Sequence, residues 1–374
     1  MNKDACLIID TSEENADLYY KTGFFVPDPV IYLEHKGEKI LVLSDLEIDR
    51  GRKVATVDSV LSLSDLQRRL LAEKKRARLV DAAGLLLRDR KIKKVTVPGR
   101  FGLKYADDLR NEGFKVAPAT GEPLFAERLR KTPEEVRLIK DALVKTAQAM
   151  DAAIKMIAAS EIRKDRLYHG GKPLTSERVK GEINSFLSRL GFSAAHTIVA
   201  CGIHSSMPHH SGEGPIFAGK PIVVDIFPRS QKTGYFGDMT RTVVKGEPSR
   251  ELLDMYDTVL KGQKLAIGMI GPGAAVKDVH KAVVDYFESR GYKTGTVDGK
   301  TEGFIHSTGH GLGLEIHEPP RISMGDEILE TGNVVTVEPG LYYARTGGIR
   351  IEDVVVVEKK GCTNLTRYPK KFRV

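Results

Sequence analysis

Long apolar runs are missing from this 374-residue chain. The longest, Ile222–Ile226 (with Asp225 inside it) and Val354–Val357, fall far short of the ~18–20 residues that a membrane-spanning helix needs. Cysteine is scarce as well. Cys6, Cys201 and Cys362 are odd in number and far apart, which argues against a disulfide scaffold and for a reducing, cytoplasmic setting. The first twenty residues carry acids where a secretory leader would be apolar, so no such leader is expected. Zinc-finger, RRM and basic-zipper patterns are absent, and nucleic acid is not an expected partner. What is present, 41% apolar and 29% charged residues, is ordinary globular composition. The length suggests two or three domains.

The net charge of +8 is mostly local: residues 66–94 hold eleven Lys/Arg against three Asp/Glu. Leu66, Leu70, Ala77, Leu79, Leu85 and Leu86 are interspersed among them. The stretch reads as an amphipathic helix with a basic outer face, either simply solvated or a docking surface for an acidic partner.

Residues 1–125 read as a small α/β unit. ACLIID (5–10), VIYLEH (30–35), KILVLS (39–44) and KVTVP (94–98) are β-rich, and HKGEK suggests a hairpin between the second and third. Helices are expected near Glu13–Lys21, Asp65–Arg90 and Tyr105–Asn111. The Pro/Gly/Ala-rich segment 117–123 marks the boundary to a second domain, 126–374. Thr132, Pro133 and Glu135 form a capping box with proline at the first helical position. An apolar stripe through Val136, Ile139, Leu143, Ala147, Met150, Ile154 and Ile157 follows. A pattern then occurs twice. Helix Thr175–Leu190 leads to IVVDIF, a turn QKTG and MTRTVV. Helices Ser249–Ile267 and Val276–Arg290 lead to VVTVEP, a turn RTGG and IRIEDVVVV. Each half reads as helices followed by a hairpin that carries two carboxylates.

Asp225 interrupts a strand apolar on both sides, and such strands are buried on both faces. A carboxylate there costs several kcal/mol unless it is paired, hydrogen-bonded or metal-bound. Glu338 and Glu352 stand in similar runs, and Asp238 opens the strand returning from Asp225. Four acids in matched hairpins exceed what packing requires. Histidines crowd the same region: His196, His204, His209, His210, His280, His306, His310 and His317, eight of ten. Glycines 309, 311 and 313 flank His310 and permit close backbone approach. Oxygen donors with an imidazole suit Mn²⁺, Co²⁺, Fe²⁺ or Zn²⁺. Four acids over-neutralise one ion, so two ions sharing bridging acids are the economical reading. GPIFAGKP is not a phosphate loop, because Pro221 stands where Ser/Thr is needed, and HEPPR is not HExxH.

The segments TGHGLGLEIHEPP, TVEPGLY, GIRIEDVVVV and GDMTRT together resemble the pita-bread metallopeptidases: methionyl aminopeptidase, Xaa-Pro aminopeptidase, Xaa-Pro dipeptidase (prolidase) and the metal-free creatinase. The resemblance is strong over roughly 127–374 and only in outline before that. It implies an α+β protein, with a pseudo-twofold pita-bread catalytic domain after a smaller creatinase-type α/β domain. It implies two divalent ions on Asp225, Asp238, His310, Glu338 and Glu352, with Asp238 and Glu352 bridging. By the same resemblance Glu338 is the general base, His209 stands near the leaving group and His317 contacts the substrate carbonyl. His306 becomes a pocket histidine and Arg321 a grip on a dipeptide's carboxylate. Arg350 shares a strand face with Glu352 and can orient the acids. The N-terminal unit favours the proline-specific branch. Short Xaa-Pro peptides are the expected substrates, cleaved by a dipeptidase or by an aminopeptidase acting on longer peptides. A methionyl aminopeptidase and a non-enzymatic binding scaffold are the alternatives, the latter countered by the complete ligand set. A homodimer is implied, with the N-terminal unit covering part of the partner's active site. One departure stands out: Asp225 and Asp238 are thirteen residues apart where eleven is usual in the family. The excess falls in a turn that preserves strand parity.

Overall fold

The computed structural model describes residues 5–374; Met1–Asp4, part of the acidic N-terminal stretch, lie outside the described residues. No helix among the described residues is long and apolar enough to cross a membrane. The chain divides into two compact units, Met1–Arg128 and Leu129–Val374.

The first unit is built on a six-stranded mixed sheet. Its hairpin Val30–His35/Glu38–Leu43 closes at His35 and Glu38, with Lys36 and Gly37 both at positive φ, the geometry of a tight two-residue turn. Two strands escape the sequence reading, Ser59–Ser62 and Lys115–Pro118; both are four residues long and pair in parallel at the sheet edges. The second of these runs into the proline-rich stretch that reads as a linker. The basic segment is two helices, Leu63–Ala72 and Leu79–Asp89, not one. Part of its cations pair within the unit: Arg68 with Asp65, Arg69 with Asp89, Lys75 with Glu73, Arg78 with Asp81 and Asp108, Arg88 with Glu112, and Arg90 with Glu38. That pairing favours the solvated-face reading over a docking surface.

The second unit opens with the helix Pro133–Ala158, capped as its sequence requires. Thr132 Oγ1 accepts the Glu135 N–H, and Glu135 Oε2 accepts the Thr132 N–H. Ile139, Leu143, Met150 and Ile157 are buried along one stripe. At about 1.5–3 kcal/mol per fully buried large aliphatic side chain, that stripe anchors the helix. With the helix Ser176–Arg189 it covers a three-stranded sheet in the order Ile198–Cys201, Ile222–Ile226, Met239–Val243. Helices Arg250–Met269 and Val276–Ser289 pack likewise on a five-stranded sheet. Its order is Glu318–Ile322, Gly309–Gly311, Val334–Val337, Asp353–Val357, Cys362–Asn364. Each half is thus a helix pair on an antiparallel sheet.

The second hairpin differs from the sequence expectation. VVTVEP and IRIEDVVVV do not pair throughout their length. Val334–Val337 pairs with Asp353–Val357, and between them Gly340–Tyr343 and Gly347–Arg350 form a separate two-stranded hairpin. The chain leaves one sheet at Glu338–Pro339 and re-enters at Ile351–Glu352. Proline has no N–H to offer a continued ladder, which ends the first strand there. The halves meet where Met239–Val243 faces the re-entry: Glu352 N–H donates to Thr240 O (3.1 Å), and Arg350 N–H donates to Thr242 Oγ1 (3.0 Å).

Candidate metal centre

The seam between the halves carries the acids. Asp225 lies in the strand Ile222–Ile226, opposite Thr240. Asp238 immediately precedes the returning strand Met239–Val243. The turn between them closes on itself, with Gly234 N–H donating to Ser230 O and Ser230 N–H to Tyr235 O. Its two extra residues therefore leave both aspartates facing the seam. Glu338 and Glu352 occupy the two breaks of the second half, and Glu338 N–H donates to Thr308 O (2.8 Å).

His310 reaches the cluster from the strand Gly309–Gly311. A Cβ on Gly309 would lie 1.9 Å from Thr336 O, and one on Gly311 2.5 Å from Pro319 O. Glycine is required here for close approach, not for an unusual backbone angle. His310 Nδ1–H donates to Gly311 O (3.1 Å), which turns Nε2 toward Glu338 Oε1 (3.3 Å) and Asp238 Oδ2 (3.8 Å). Ligand atoms of Asp238, His310 and Glu352 all lie within 4.8 Å of one another.

The electrostatics of this cluster call for a cation. Asp225 Oδ1 and Glu352 Oε1 are buried oxygens with no hydrogen-bond partner, an arrangement that native interiors rarely tolerate. Burial, followed by the neighbouring carboxylates, pushes the Asp238 and Glu352 carboxyls well above their usual range. Burial also pushes Glu338 up. The hydrogen bond and charge of His310, then His306 and Arg350, outweigh it and hold Glu338 down at about 2. Oxygen-rich donors with one imidazole fit hard-to-borderline divalent ions, so the residues present fit such a centre.

Arg350 backs the acids. Its guanidinium donates to Asp225 Oδ2 (2.7 Å), Tyr342 OH (2.8 Å) and Thr240 Oγ1 (3.2 Å), and to Pro208 O (3.3 Å) on the loop before His209. Burial disfavours its charge, but Tyr342, Asp225 and Glu338 outweigh that and raise its pKa further. Tyr342 in turn meets His306 Nε2 (2.8 Å). Burial lowers His306 to about 4 and lifts Tyr342 to about 12, so this pair is neutral at neutral pH.

The acids open on one cavity of about 770 Å³. All five acidic and histidine ligand candidates are on its wall, together with His209, His306, His317, Arg321 and Arg350. His317 crosses His310 edge-on, ring centroids 4.4 Å apart. Burial on its cavity side, then His310, lowers its pKa, although another part of the residue is exposed. A model of metallopeptidase family M24 matches residues 137–359, more than half of the chain. The chain belongs to that family.

Known relatives of this M24 chain extend the likeness. The Xaa-Pro dipeptidase of Pyrococcus furiosus is 35% identical over 242 residues, 64% of either protein. The chain spans less than two thirds of the length of the first curated relatives it matches. Among solved structures, the X-Pro aminopeptidase of Thermotoga maritima aligns over 99% of this chain and 97% of its own, at 26% identity and a TM-score of 0.82. The prolidase of Pyrococcus horikoshii aligns over 99% and 95%, at 26% identity and 0.79. Both alignments cover the N-terminal unit as well, so the chain has the fold of these peptidases, a pita-bread domain preceded by an N-terminal domain.

Not every histidine of the crowded region enters the M24 cavity. His280 sits on the helix Val276–Ser289 and meets Thr308 Oγ1 (2.9 Å), and His204 stacks on His210; none of the three lines the cavity. His196 does line it, at a left-handed φ of 65°. Sequence reasoning missed Tyr342 and Thr240. Tyr342 stands in the quoted TVEPGLY and was available as a polar group four residues after Glu338. Thr240 carried no signal: its part follows from register, where it donates to Glu352 Oε2 (2.9 Å).

Proposed function

We propose that this chain is a dinuclear-metal exopeptidase that hydrolyses the Xaa-Pro bond, with Xaa-Pro dipeptides as its best substrates. The observation that carries the proposal is the convergence of Asp225, Asp238, His310, Glu338 and Glu352 on one cavity wall, with two buried carboxylate oxygens unpartnered. These five residues would hold two ions of the Mn²⁺, Co²⁺, Fe²⁺ or Zn²⁺ class, with Asp238 and Glu352 serving both. Such ions supply Lewis-acid activation of water and of the scissile carbonyl. Glu338, ionised across the neutral range, offers an oxygen that can take a proton from the attacking water. His317 places a ring nitrogen for the developing oxyanion. His209 stands where a proton can pass to the leaving proline nitrogen. Arg350 and Tyr342 fix Asp225 and His306 in position. The names of the similar dipeptidase and prolidase support proline specificity.

Arg321 supports the dipeptidase reading. It lies on the cavity wall with an exposed side chain, and a guanidinium can grip a dipeptide's terminal carboxylate with two hydrogen bonds. The likeness to an X-Pro aminopeptidase favours the second reading, cleavage of longer peptides. Assembly as a homodimer and a cytoplasmic setting belong to the same proposal; light scattering at micromolar concentration checks the first. The deciding experiment compares turnover of an Xaa-Pro dipeptide and an Xaa-Pro tripeptide with each metal in turn. Preference for the dipeptide upholds the proposal, preference for the tripeptide moves it to an aminopeptidase, and failure to cleave either overturns both.

A further inference from the structure

The loop between the strands Ile198–Cys201 and Ile222–Ile226 carries a second group of donors. One ligand atom each from His204, His210 and Glu213 lies within 4.8 Å of the other two. The two imidazole rings stack, centroids 4.2 Å apart and planes 13° apart. Both histidines are half-buried and Glu213 is exposed. None of the three lines the catalytic cavity, whereas His209 and Ser211, which alternate with His210 along the chain, do. The donors also differ from the acid-rich centre: two imidazoles and one carboxylate form a set suited to zinc and its neighbours.

We propose that His204, His210 and Glu213 form a third divalent-metal site, selective for zinc-like ions and placed on the outer side of the loop that carries His209. His210 Nδ1 accepts the Gly212 N–H (3.0 Å), so without metal Nε2 carries the ring proton. Coordination at Nε2 needs the ring proton on Nδ1, and the bond from Gly212 must then break. Gly212 packs closely here, at φ +78° where an added Cβ would lie 1.7 Å from Val199 O. The ring would therefore move at the residue directly after His209, which is the route by which zinc would act on His209. Lys180 Nζ, bound to Gly212 O (2.8 Å), places a positive charge nearby. That charge disfavours a cation and weakens the affinity below that of a permanent structural zinc. Zinc beyond what fills the catalytic centre would then restrain His209 and slow turnover. This consequence rests on the function proposed above; the site itself does not.

The test is equilibrium dialysis of Zn²⁺ against the metal-loaded full-length protein, read by elemental analysis. Wild type should take up one more zinc per chain than His204→Ala. Glu213→Gln, at an exposed position where misfolding is not at issue, should weaken that uptake about tenfold. Equal stoichiometry and affinity in wild type and both variants would overturn the site. A baseline metal count other than two, common to wild type and variants, would count against the dinuclear centre and leave the third site standing. Excess zinc should inhibit the wild type and spare His204→Ala; zinc bound without any inhibition would overturn the coupling to His209.

Discussion

The two halves of the second unit share a plan and differ in one device. In the first half Asp225 and Asp238 flank the turn of one continuous hairpin, Ile222–Ile226 with Met239–Val243. In the second, the hairpin that would carry Glu338 and Glu352 is opened, and a second small hairpin is inserted between them. The insertion is where the halves stop being equivalent. Tyr342 and Arg350 come from it; Arg350 reaches across to Asp225 of the first half, and Tyr342 ties Arg350 to His306 within the second. Each half holds an acid of the other: Arg350 of the second bonds Asp225, and Thr240 of the first bonds Glu352.

The largest effect should come from removing an acid of either half. Asp238→Ala and Glu352→Ala should each abolish turnover and lower bound metal by elemental analysis. If one retained full metal content, the halves would not be equal partners in the centre. Next are the histidines of the cavity wall. His209→Ala and His317→Ala should cut kcat by about 10²–10⁴-fold, the range for acid–base and oxyanion groups, with metal content unchanged. Loss of metal in His209→Ala would instead make it a ligand.

The inserted hairpin sharpens the comparison further. Tyr342→Phe removes the hydroxyl between Arg350 and His306 and should cost about 10–100-fold in activity or metal affinity, as outer-sphere partners do. An effect confined to thermal stability would reduce the insertion to a structural part. Arg321→Ala should raise KM for Xaa-Pro dipeptides several-fold more than for tripeptides, since only the dipeptide presents a carboxylate there. Equal effects would remove the case for dipeptidase action.

The smallest effect is on stability and belongs to the second half alone. His306 titrates near 4 in the fold, against about 6.5 when exposed. The unfolded chain therefore binds the proton first as pH falls. The stabilisation from the neutral ring is complete above about pH 6.5 and is lost progressively toward pH 4, on the order of 3 kcal/mol in all. Metal-free wild type should thus lose more Tm between pH 7 and 4.5 than metal-free His306→Gln. Parallel losses would mean that burial of this ring is not what depresses its pKa.

Legibility in the sequence followed the range of the interaction. The capping box at Thr132 and Glu135, the stripe through Ile157 and the turn at Lys36–Gly37 depend on residues within one or two turns of each other, and each is in place. The break between Ala72 and Leu79 was missed because apolar spacing runs on through it. The edge strands Ser59–Ser62 and Lys115–Pro118 were missed because four residues carry too little alternation to be seen.

By itself the sequence determined which chemistry was on offer. Acids inside strands apolar on both faces cannot stay there unpartnered, and that held for Asp225 wherever its partner came from. Only the tertiary structure decided the partners. Arg350 and Asp225 are 125 residues apart and meet at 2.7 Å because two sheets join along the strand Met239–Val243. His209 and His210 are neighbours in sequence, yet only His209 lines the cavity. Residue type sets what a side chain can bind, while the packing of faces across a seam sets what it meets. That packing is a sum of many long-range contacts with no local pattern to read.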